Sequence, residues 1–118
     1  MDKLKALGIC IKSVSSHVID FQIITIRPPG TRRLSEKDLP LNFEPILDKS
    51  KGVVILGRQI AWFSGYLVHE FMLNSVPWVA CYNPRDEVVI VVATSSKSQT
   101  KIGQIIDVPF EYVYSSKY

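Results

Sequence analysis

The feature that most constrains this fold is the continuous apolar run at residues 53–56, Val-Val-Ile-Leu. A mostly β-branched run of this kind is typical of a strand that is buried on both faces. From Gln59 to about Leu73 the chain has no proline and has room for roughly four helical turns, which predicts a helix. Residues 78–82 predict a second strand. Strand, helix and strand in this order predict a βαβ unit with parallel strands and a right-handed crossover.

Two further parts of the chain predict strands outside this unit. Residues 4–11 and 18–26 are apolar or partly alternating, so they read as a hairpin that turns at the serines within 13–16. Residues 105–114 predict a last extended element. Pro109 interrupts that element, and a proline places such a strand at the edge of a sheet.

A turn at residues 83–86 joins the strand at 78–82 to another β-branched run at 88–92. Pro84 stands at the second position of this turn, as it does in many hairpins. The hairpin adds an antiparallel strand to the parallel pair of the βαβ unit. The predicted sheet is therefore mixed.

The segment between the first hairpin and the βαβ unit is irregular. Residues 27–33 carry arginines around Pro-Pro-Gly, and we interpret them as an exposed basic loop that is either solvated or touches RNA. Ser35 with Asp38 three residues later fits a helix N-cap. Pro40 and Pro45 keep any helix here short.

Composition limits the class of protein. The chain has 118 residues and 13.3 kDa, with 47% hydrophobic and 21% charged residues, which predicts one globular domain over residues 1–118 and excludes disordered, collagen-like and coiled-coil chains. The prediction is an α/β domain with a mixed β-sheet, a βαβ unit and one long helix. A net charge of +3 suits a small anionic ligand but is too weak to indicate duplex DNA.

Cysteine usage and hydropathy exclude three further classes. Cys10 and Cys81 lie in apolar runs, so no disulfide framework is expected. With only His17 and His69 besides, no zinc-ligand spacing occurs. No apolar span of 18 residues exists, and we expect a cytoplasmic protein without a membrane partner.

Gly57 and Arg58 stand where the buried strand passes into the helix. The first backbone N–H groups of a helix lack partners within the helix, so anions bind there, and an arginine adds a forked donor for phosphate. The alternative interpretation is a glycine that serves only the turn.

Trp62, Tyr66, His69 and Leu73 fall in one sector of the predicted helix. This sector is either a pocket wall, with an imidazole for proton transfer and an aromatic ring for stacking on a base, or a face packed on the sheet with a hydrogen-bonded histidine. The opposite sector is also apolar. A helix that is apolar all round is covered on both sides, and we expect a second subunit to supply the second cover.

The turn after the second strand of the βαβ unit carries Asn83, Arg85 and Asp86. It leaves the sheet at the same carboxyl edge as Gly57 and Arg58, and open α/β sheets bind ligands at that edge. Asn83 and Pro84 are also ordinary turn residues. No turn requires Arg85, so we interpret Arg85 as a ligand-binding residue.

Short motifs in the C-terminal half follow one another in a characteristic order: residues 51–58, Trp62, residues 67–69, residues 79–85 and residues 103–108. This ordered set resembles the Csx-three family of type III CRISPR-associated proteins over roughly residues 51–109. The resemblance implies a Rossmann-like, CARF-related fold and a homodimer or higher homo-oligomer. It also implies an antiviral ring nuclease, a hydrolase that degrades the second messenger cyclic tetra-adenylate.

The resemblance implies roles residue by residue. The helix histidine of the family falls on His69, the strand-end arginine on Arg58 and the turn arginine on Arg85. The family aspartate associated with catalysis and with manganese is replaced here by Asn83, and a neutral amide neither accepts a proton as a base nor binds a divalent cation as strongly as a carboxylate does. Asp86 and Glu87, the next acidic residues of the turn, are the candidates that could supply the missing charge.

The leading hypothesis is therefore a cyclic oligoadenylate phosphodiesterase. It assigns catalysis to His69, Asn83 and Asp86, and it assigns substrate binding to Gly57, Arg58, Trp62, Tyr66 and Arg85. Manganese is the cofactor that the family implies, and the alternative is a metal-free attack by the ring's own 2′-hydroxyl. Two other functions stay open: a sensor or sink that binds the messenger without cutting it, and an exoribonuclease that shortens single-stranded RNA from its 3′ end.

Overall fold

The computed structural model of the chain describes residues 3–16, 18–28, 30, 34–56, 61–96 and 98–117. This part contains six strands and three α-helices. They are α1 (Lys3–Ala6), β1 (Ile9–Ser15), β2 (Asp20–Ile26), β3 (Gly52–Ile55), α2 (Ala61–Leu73), β4 (Trp78–Asn83), β5 (Val88–Thr94), β6 (Ile105–Ile106) and α3 (Phe110–Lys117). A single 3-10 turn, Glu36–Asp38, follows Ser35.

The six strands form one mixed sheet whose spatial order follows the chain order, β1 to β6. The strands β2, β3 and β4 run parallel, whereas β1, β5 and β6 pair antiparallel with their neighbours. The predicted βαβ unit, both hairpins and the mixed sheet are confirmed. Because the order never reverses among the parallel strands, the topology does not confirm the Rossmann-like detail of the prediction.

The sheet is covered on both faces. On one face, which we call the α2 face, Val53, Ile55 and Val79 pack with Phe63, Leu67 and Phe71 of α2 and with residues 41–47. On the other, the α3 face, Val54, Leu56 and Ala80 pack with Val91, Ile106 and Tyr112 of α3. Successive side chains of β3 point to opposite faces of the sheet, and both faces are covered. All residues of this strand are therefore buried, which explains its continuous apolar run.

Both crossovers lie on the α2 face. Helix α2 connects β3 to β4, and the segment that connects β2 to β3 contributes Leu41, Phe43 and Leu47 to the same core. A right-handed crossover between parallel strands that advance in one direction always covers the same face, so the two connections must lie side by side.

A glycine lies under two aromatic rings on the α3 face. Gly52 pairs directly with Phe21 on β2, and its neighbour Val53 pairs with Val79, which brings Trp78 beside Gly52. The rings of Phe21 and Trp78 lie 6.3 Å apart. A Cβ atom on Gly52 would stand 1.9 Å from the indole ring of Trp78, so this position accepts no side chain unless the ring moves.

The buried amide of Gln22 holds the chain at the entry to β3. Its Nε2 donates to the carbonyl oxygen of Asp48 at 2.6 Å and to that of Lys51 at 3.1 Å, and its Oε1 accepts from the Asp48 N–H at 3.0 Å. Gln22 is the one buried polar side chain among the described residues, and these bonds satisfy it.

The beginning of the chain differs from its prediction as a strand over residues 4–11. Residues 3–6 form α1, and β1 begins only at Ile9. Leu4 and Leu7 are both buried, and their spacing of three fits a helical turn as well as it fits an apolar strand. The serines expected in the turn at 13–16 divide between β1 and the turn itself, where Ser16 Oγ accepts from the Ile19 N–H at 3.0 Å.

The end of the chain also differs. The extended element predicted at 105–114 is a strand for two residues only, at the expected edge of the sheet, and residues 110–117 form α3. Pro109 comes directly before this helix. A proline interrupts a strand but is well accommodated at the start of a helix, and the sequence analysis considered only the first effect.

Two further predictions are confirmed in outline. The helix expected from Gln59 to Leu73 is described from Ala61 to Leu73, and Gln59 lies outside the described residues. Ser35 caps the short 3-10 turn and shares a reciprocal capping box with Asp38. Among the described residues, no helix is long and apolar enough to cross a membrane.

Candidate anion-binding edge

The carboxyl ends of β2, β3 and β4 meet at one edge of the sheet, which we call the carboxyl edge. Arg27 follows β2 directly, and the turn with Asn83 and Arg85 follows β4. Neighbouring strands are about 4.8 Å apart, so the ends of β2 and β4 are separated by about 10 Å. Gly57 and Arg58, predicted for the same edge, lie outside the described residues.

The turn between β4 and β5 is held by its own side chains. Asn83 Oδ1 accepts a hydrogen bond from the backbone N–H of Arg85 at 3.1 Å, and Asn83 Nδ2 donates to Asp86 Oδ2 at 3.1 Å. Glu87 takes a left-handed conformation with φ of 54° and returns the chain to β5. The interpretation of Asn83 as a turn residue is therefore confirmed, and the structure brings Asn83 and Asp86 into direct contact.

Arg85 is exposed at the tip of this turn. No described residue forms an ion pair with its guanidinium, whereas Lys49 pairs with Glu44 and Lys51 with Asp48 elsewhere in the chain. A guanidinium presents several N–H donors in a planar fork that matches a phosphate group. The turn thus presents a charged donor for an anion, with the amide of Asn83 fixing the backbone beneath it.

The sector of α2 with Trp62, His69 and Leu73 faces away from the sheet. The buried residues of the helix are Phe63, Leu67 and Phe71. Trp62 is 41% exposed and Leu73 is 66% exposed. His69 is also exposed, and no described residue forms a hydrogen bond with its imidazole. The alternative of a sheet-packed sector with a hydrogen-bonded histidine is therefore wrong for these three residues, whereas Tyr66 of the same sector packs against the core.

Tyr66 is half-buried and its hydroxyl is engaged inside the chain. Its Oη accepts from the Leu41 N–H and donates to Glu70 Oε1, each at 2.8 Å. Burial raises the pKa of the phenol, and the neighbouring Glu70 raises it further. These bonds attach the segment before β3 to α2. The predicted role of Tyr66 in stacking on a base stays a prediction.

The candidate residues form two groups within one chain. Helix α2 begins at the carboxyl edge and leads away from it, because it must return the chain to the start of β4. Trp62 therefore lies near the carboxyl edge. His69 lies about 12 Å beyond Ala61 along the helix axis. No described contact joins His69 to Asn83, Arg85 or Asp86.

The described residues do not build a manganese site. Among them, no group of three or more histidine, cysteine, aspartate or glutamate side chains converges. At the turn, Asp86 offers one carboxylate, and Asn83 already uses its amide oxygen on the backbone of Arg85. Divalent cations in proteins need several oxygen ligands, carboxylates foremost. We therefore derive no catalytic step through a metal.

One residue of the carboxyl edge was not singled out from the sequence as part of a site. Arg27 was interpreted as part of a loop, but it follows the last residue of β2 and its backbone N–H donates to the Gly8 carbonyl oxygen at 2.9 Å. The signal was present: a strand predicted at 18–26 places residue 27 at its end. Only the parallel pairing of β2 with β3 shows that this end belongs to the same edge.

The fold and the edge define a class: a small α/β protein whose mixed sheet carries an arginine-bearing turn at its carboxyl edge. The family model described as CRISPR-associated protein (Cas_csx3) matches residues 30–107, about two thirds of the chain. The chain therefore belongs to this family. The match confirms the resemblance and begins well before the motifs that carried it, so it includes the segment that leads into β3.

Proposed function

We propose that this protein is a ring nuclease that cleaves cyclic tetra-adenylate. The observation that carries the proposal is the turn between β4 and β5, in which Asn83 and Asp86 hold an exposed Arg85 at the carboxyl edge of the parallel strands. Membership of a CRISPR-associated family supports a role in that defence system. The net charge of +3 favours a polyanionic ligand.

The chemistry requires no metal. The 2′-oxygen of one adenylate attacks the adjacent phosphorus and forms the new O–P bond, while the bond to the 5′-oxygen breaks. The products are a 2′,3′-cyclic phosphate and a free 5′-hydroxyl. The 2′-hydroxyl gives its proton to a base, and the leaving 5′-oxygen receives one. Arg85, with Arg58, stabilises the charge on the phosphoryl oxygens, and His69 moves a proton.

The position of His69 supports an assembly of several copies. Its imidazole is exposed and lies about 12 Å along α2 from the carboxyl edge of its own chain. In the proposed assembly, a second copy therefore brings its His69 to the phosphate that Arg85 binds. The exposed apolar side chains on the same sector, Trp62 and Leu73, provide apolar surface for contact between the copies.

A second function is favoured by one specific residue. Asn83 stands at the position of the family aspartate, and an amide can bind phosphate or fix a turn but cannot act as a base. The rival proposal is therefore a sink that binds the messenger and leaves the ring intact.

The test is to incubate the purified protein with cyclic tetra-adenylate, with and without manganese, and to separate the products by chromatography. We expect linear products without added metal, a loss of at least about a hundredfold in rate for His69→Ala, and a loss of about tenfold to a hundredfold for Arg85→Ala. Lys101→Ala is the matched control, because Lys101 is an exposed cation before β6, at the opposite edge of the sheet.

The other outcomes separate the alternatives. Tight binding with an intact ring would replace the nuclease by the sink. Shortening of linear RNA from its 3′ end, with the ring untouched, would replace it by the exoribonuclease. A rate for Arg85→Ala equal to that of Lys101→Ala would remove the turn from the site.

A further inference from the structure

A cavity lies on the α3 face of the sheet, away from α2. It has a volume of about 440 Å³, and it opens between the hairpin of β1 and β2 on one side and the first turn of α3 on the other. None of the described residues assigned to the proposed nuclease lines it. Its size is within the range of small-molecule sites, which are about 300 to 1,000 Å³.

The cavity brings together two cationic side chains from neighbouring strands. Lys12 comes from β1, and Arg27 follows β2. Both are exposed, and the described lining counts these two cationic side chains and one carboxylate, Glu111 of α3. An excess of cationic donors around a concave surface favours an anion over a neutral ligand.

The rest of the lining offers a hydroxyl and an aromatic wall. Thr25 pairs with Cys10 across the hairpin, with its Oγ1 2.9 Å from the Cys10 sulfur. The ring of Tyr112 lies beside Lys12, whose Nζ is 5.4 Å from the ring centroid. A cation held near an aromatic face, with an apolar floor at Ile23, suits a ligand that carries both an anionic group and a planar ring.

The end of the cavity is fixed by a close backbone contact. Gly8 takes a left-handed conformation with φ of 73°, and a Cβ atom there would stand 1.8 Å from the carbonyl oxygen of Arg27. The Arg27 N–H donates to the Gly8 carbonyl oxygen at 2.9 Å. The backbone that carries Arg27 is therefore held in place without a ligand, and binding does not have to order it.

We propose that this cavity is a binding site for a mononucleotide, with the phosphate between Lys12 and Arg27 and the planar base against Tyr112. The site is separate from the proposed ring nuclease and does not rest on it. The recognition that we propose is of the phosphate and of a flat ring, not of one particular base edge.

Cys10 makes the test direct, because it is an exposed thiol in the lining of the cavity. The protein is treated with iodoacetamide, and the alkylation rate of Cys10 is followed by peptide mass spectrometry with and without adenosine monophosphate or uridine monophosphate. Cys81 is the internal reference: it lies outside the cavity, and burial raises the pKa of its thiol. We expect either nucleotide to slow alkylation of Cys10 at least fivefold and to leave Cys81 unchanged.

Two substitutions in the lining should change the nucleotide concentration that half protects Cys10 in opposite directions. In Lys12→Gln the nucleotide concentration for half protection should rise at least tenfold, and in Glu111→Gln it should fall. Arg85→Ala should leave it unchanged, so failure of this site and failure of the ring nuclease are distinguishable. Equal protection by adenosine, which has no phosphate, would overturn the proposal, as would protection that survives Lys12→Gln or is lost in Arg85→Ala.

Discussion

Two side chains of the candidate site, Asn83 and Tyr66, form hydrogen bonds to the backbone, and these bonds can be tested by substitution. The sequence analysis assigned Asn83 to catalysis and Tyr66 to substrate binding. The structure shows that each also holds the backbone: Asn83 caps the turn between β4 and β5, and Tyr66 joins α2 to Leu41. A substitution at either position therefore changes both the fold and the chemistry, and a useful variant must separate the two.

At the turn between β4 and β5, Asn83→Asp separates the effect on the fold from the effect on the chemistry. The new carboxylate still accepts from the Arg85 N–H, but its other oxygen faces Asp86 Oδ2, which is 3.1 Å from the present amide nitrogen. Repulsion between the two carboxylates should lower the free energy of unfolding by about 0.5 to 1 kcal/mol without metal. Manganese should restore it, because the pair then offers two charged oxygen ligands. Thermal melting with and without manganese measures both effects.

The double variant Asn83→Asp with Asp86→Asn is the control for this prediction, since it has one carboxylate again and should melt independently of manganese. The cleavage assay adds a second measurement, and we expect a manganese-dependent gain in rate for Asn83→Asp alone. A melting curve that manganese leaves unaltered would contradict the expected ligand pair.

Tyr66→Phe tests the bond between α2 and Leu41. Loss of the hydroxyl leaves the Leu41 N–H and the Glu70 carboxylate without this partner, so we expect a loss of about 1 to 2 kcal/mol in the free energy of unfolding. The pKa of Tyr66 is raised above its ordinary value of 10.0 in the folded protein. The folded state thus holds this proton more tightly than the unfolded state does. The stability that Tyr66 contributes is present below pH 10 and falls as the pH rises through the raised pKa.

Urea unfolding at several pH values measures this difference between the natural protein and Tyr66→Phe. Tyr82→Phe is the matched control, because the buried Tyr82 hydroxyl has no hydrogen-bond partner among the described residues, so its removal should be neutral or stabilising. A Tyr66→Phe variant as stable as Tyr82→Phe would show that the bond to Leu41 contributes nothing.

Elements show where sequence patterns succeed and where they fail. Both βαβ strands, α2 and the turn at 83–86 were predictable, because long apolar runs, a proline-free stretch and turn residues all indicate the same structure there. The two ends of the chain were not, since Leu4 and Leu7 fit a helix or a strand and Pro109 fits an interrupted strand or a helix start. The register that places Gly52 under Trp78 depends on strand pairing, which no local pattern contains.

Gly52→Ala tests that register. The added methyl group overlaps the indole ring of Trp78, and overpacking in a core of this kind costs about 1 to 3 kcal/mol. Gly65→Ala is the matched control: Gly65 lies on the exposed side of α2 with nothing within 4 Å of an added Cβ, so it should gain up to about 1 kcal/mol from helix propensity. Chemical denaturation measures the free energy of unfolding of both variants, which should fall for Gly52→Ala and rise for Gly65→Ala. An equal change in the two variants would contradict the packing of Trp78 on β3.

At the scale of the whole molecule, the sequence predicted the family and the edge of the sheet but not the arrangement of the candidate residues. Motif order pointed to the Csx-three family, and the family match over residues 30–107 confirms it. Placing His69 and Arg85 in one site required knowing which way α2 leads from the carboxyl edge, and the helical wheel shows only which residues share a sector. Within one chain the helix carries His69 away from the carboxyl edge, and for this reason the proposed nuclease brings the two residues together between copies.

Helix α3 covers the face of the sheet opposite to the two crossovers. Every strand-to-strand connection among the three parallel strands passes on the side of α2, so α3 carries no part of the sheet's connectivity. The C-terminal helix can therefore change in length or sequence, or be fused to another polypeptide, without reordering a single strand. Engineering of this protein should begin after Pro109, where such changes alter the packing of α3 and the cavity lining at Glu111 and Tyr112 but not the order of the strands.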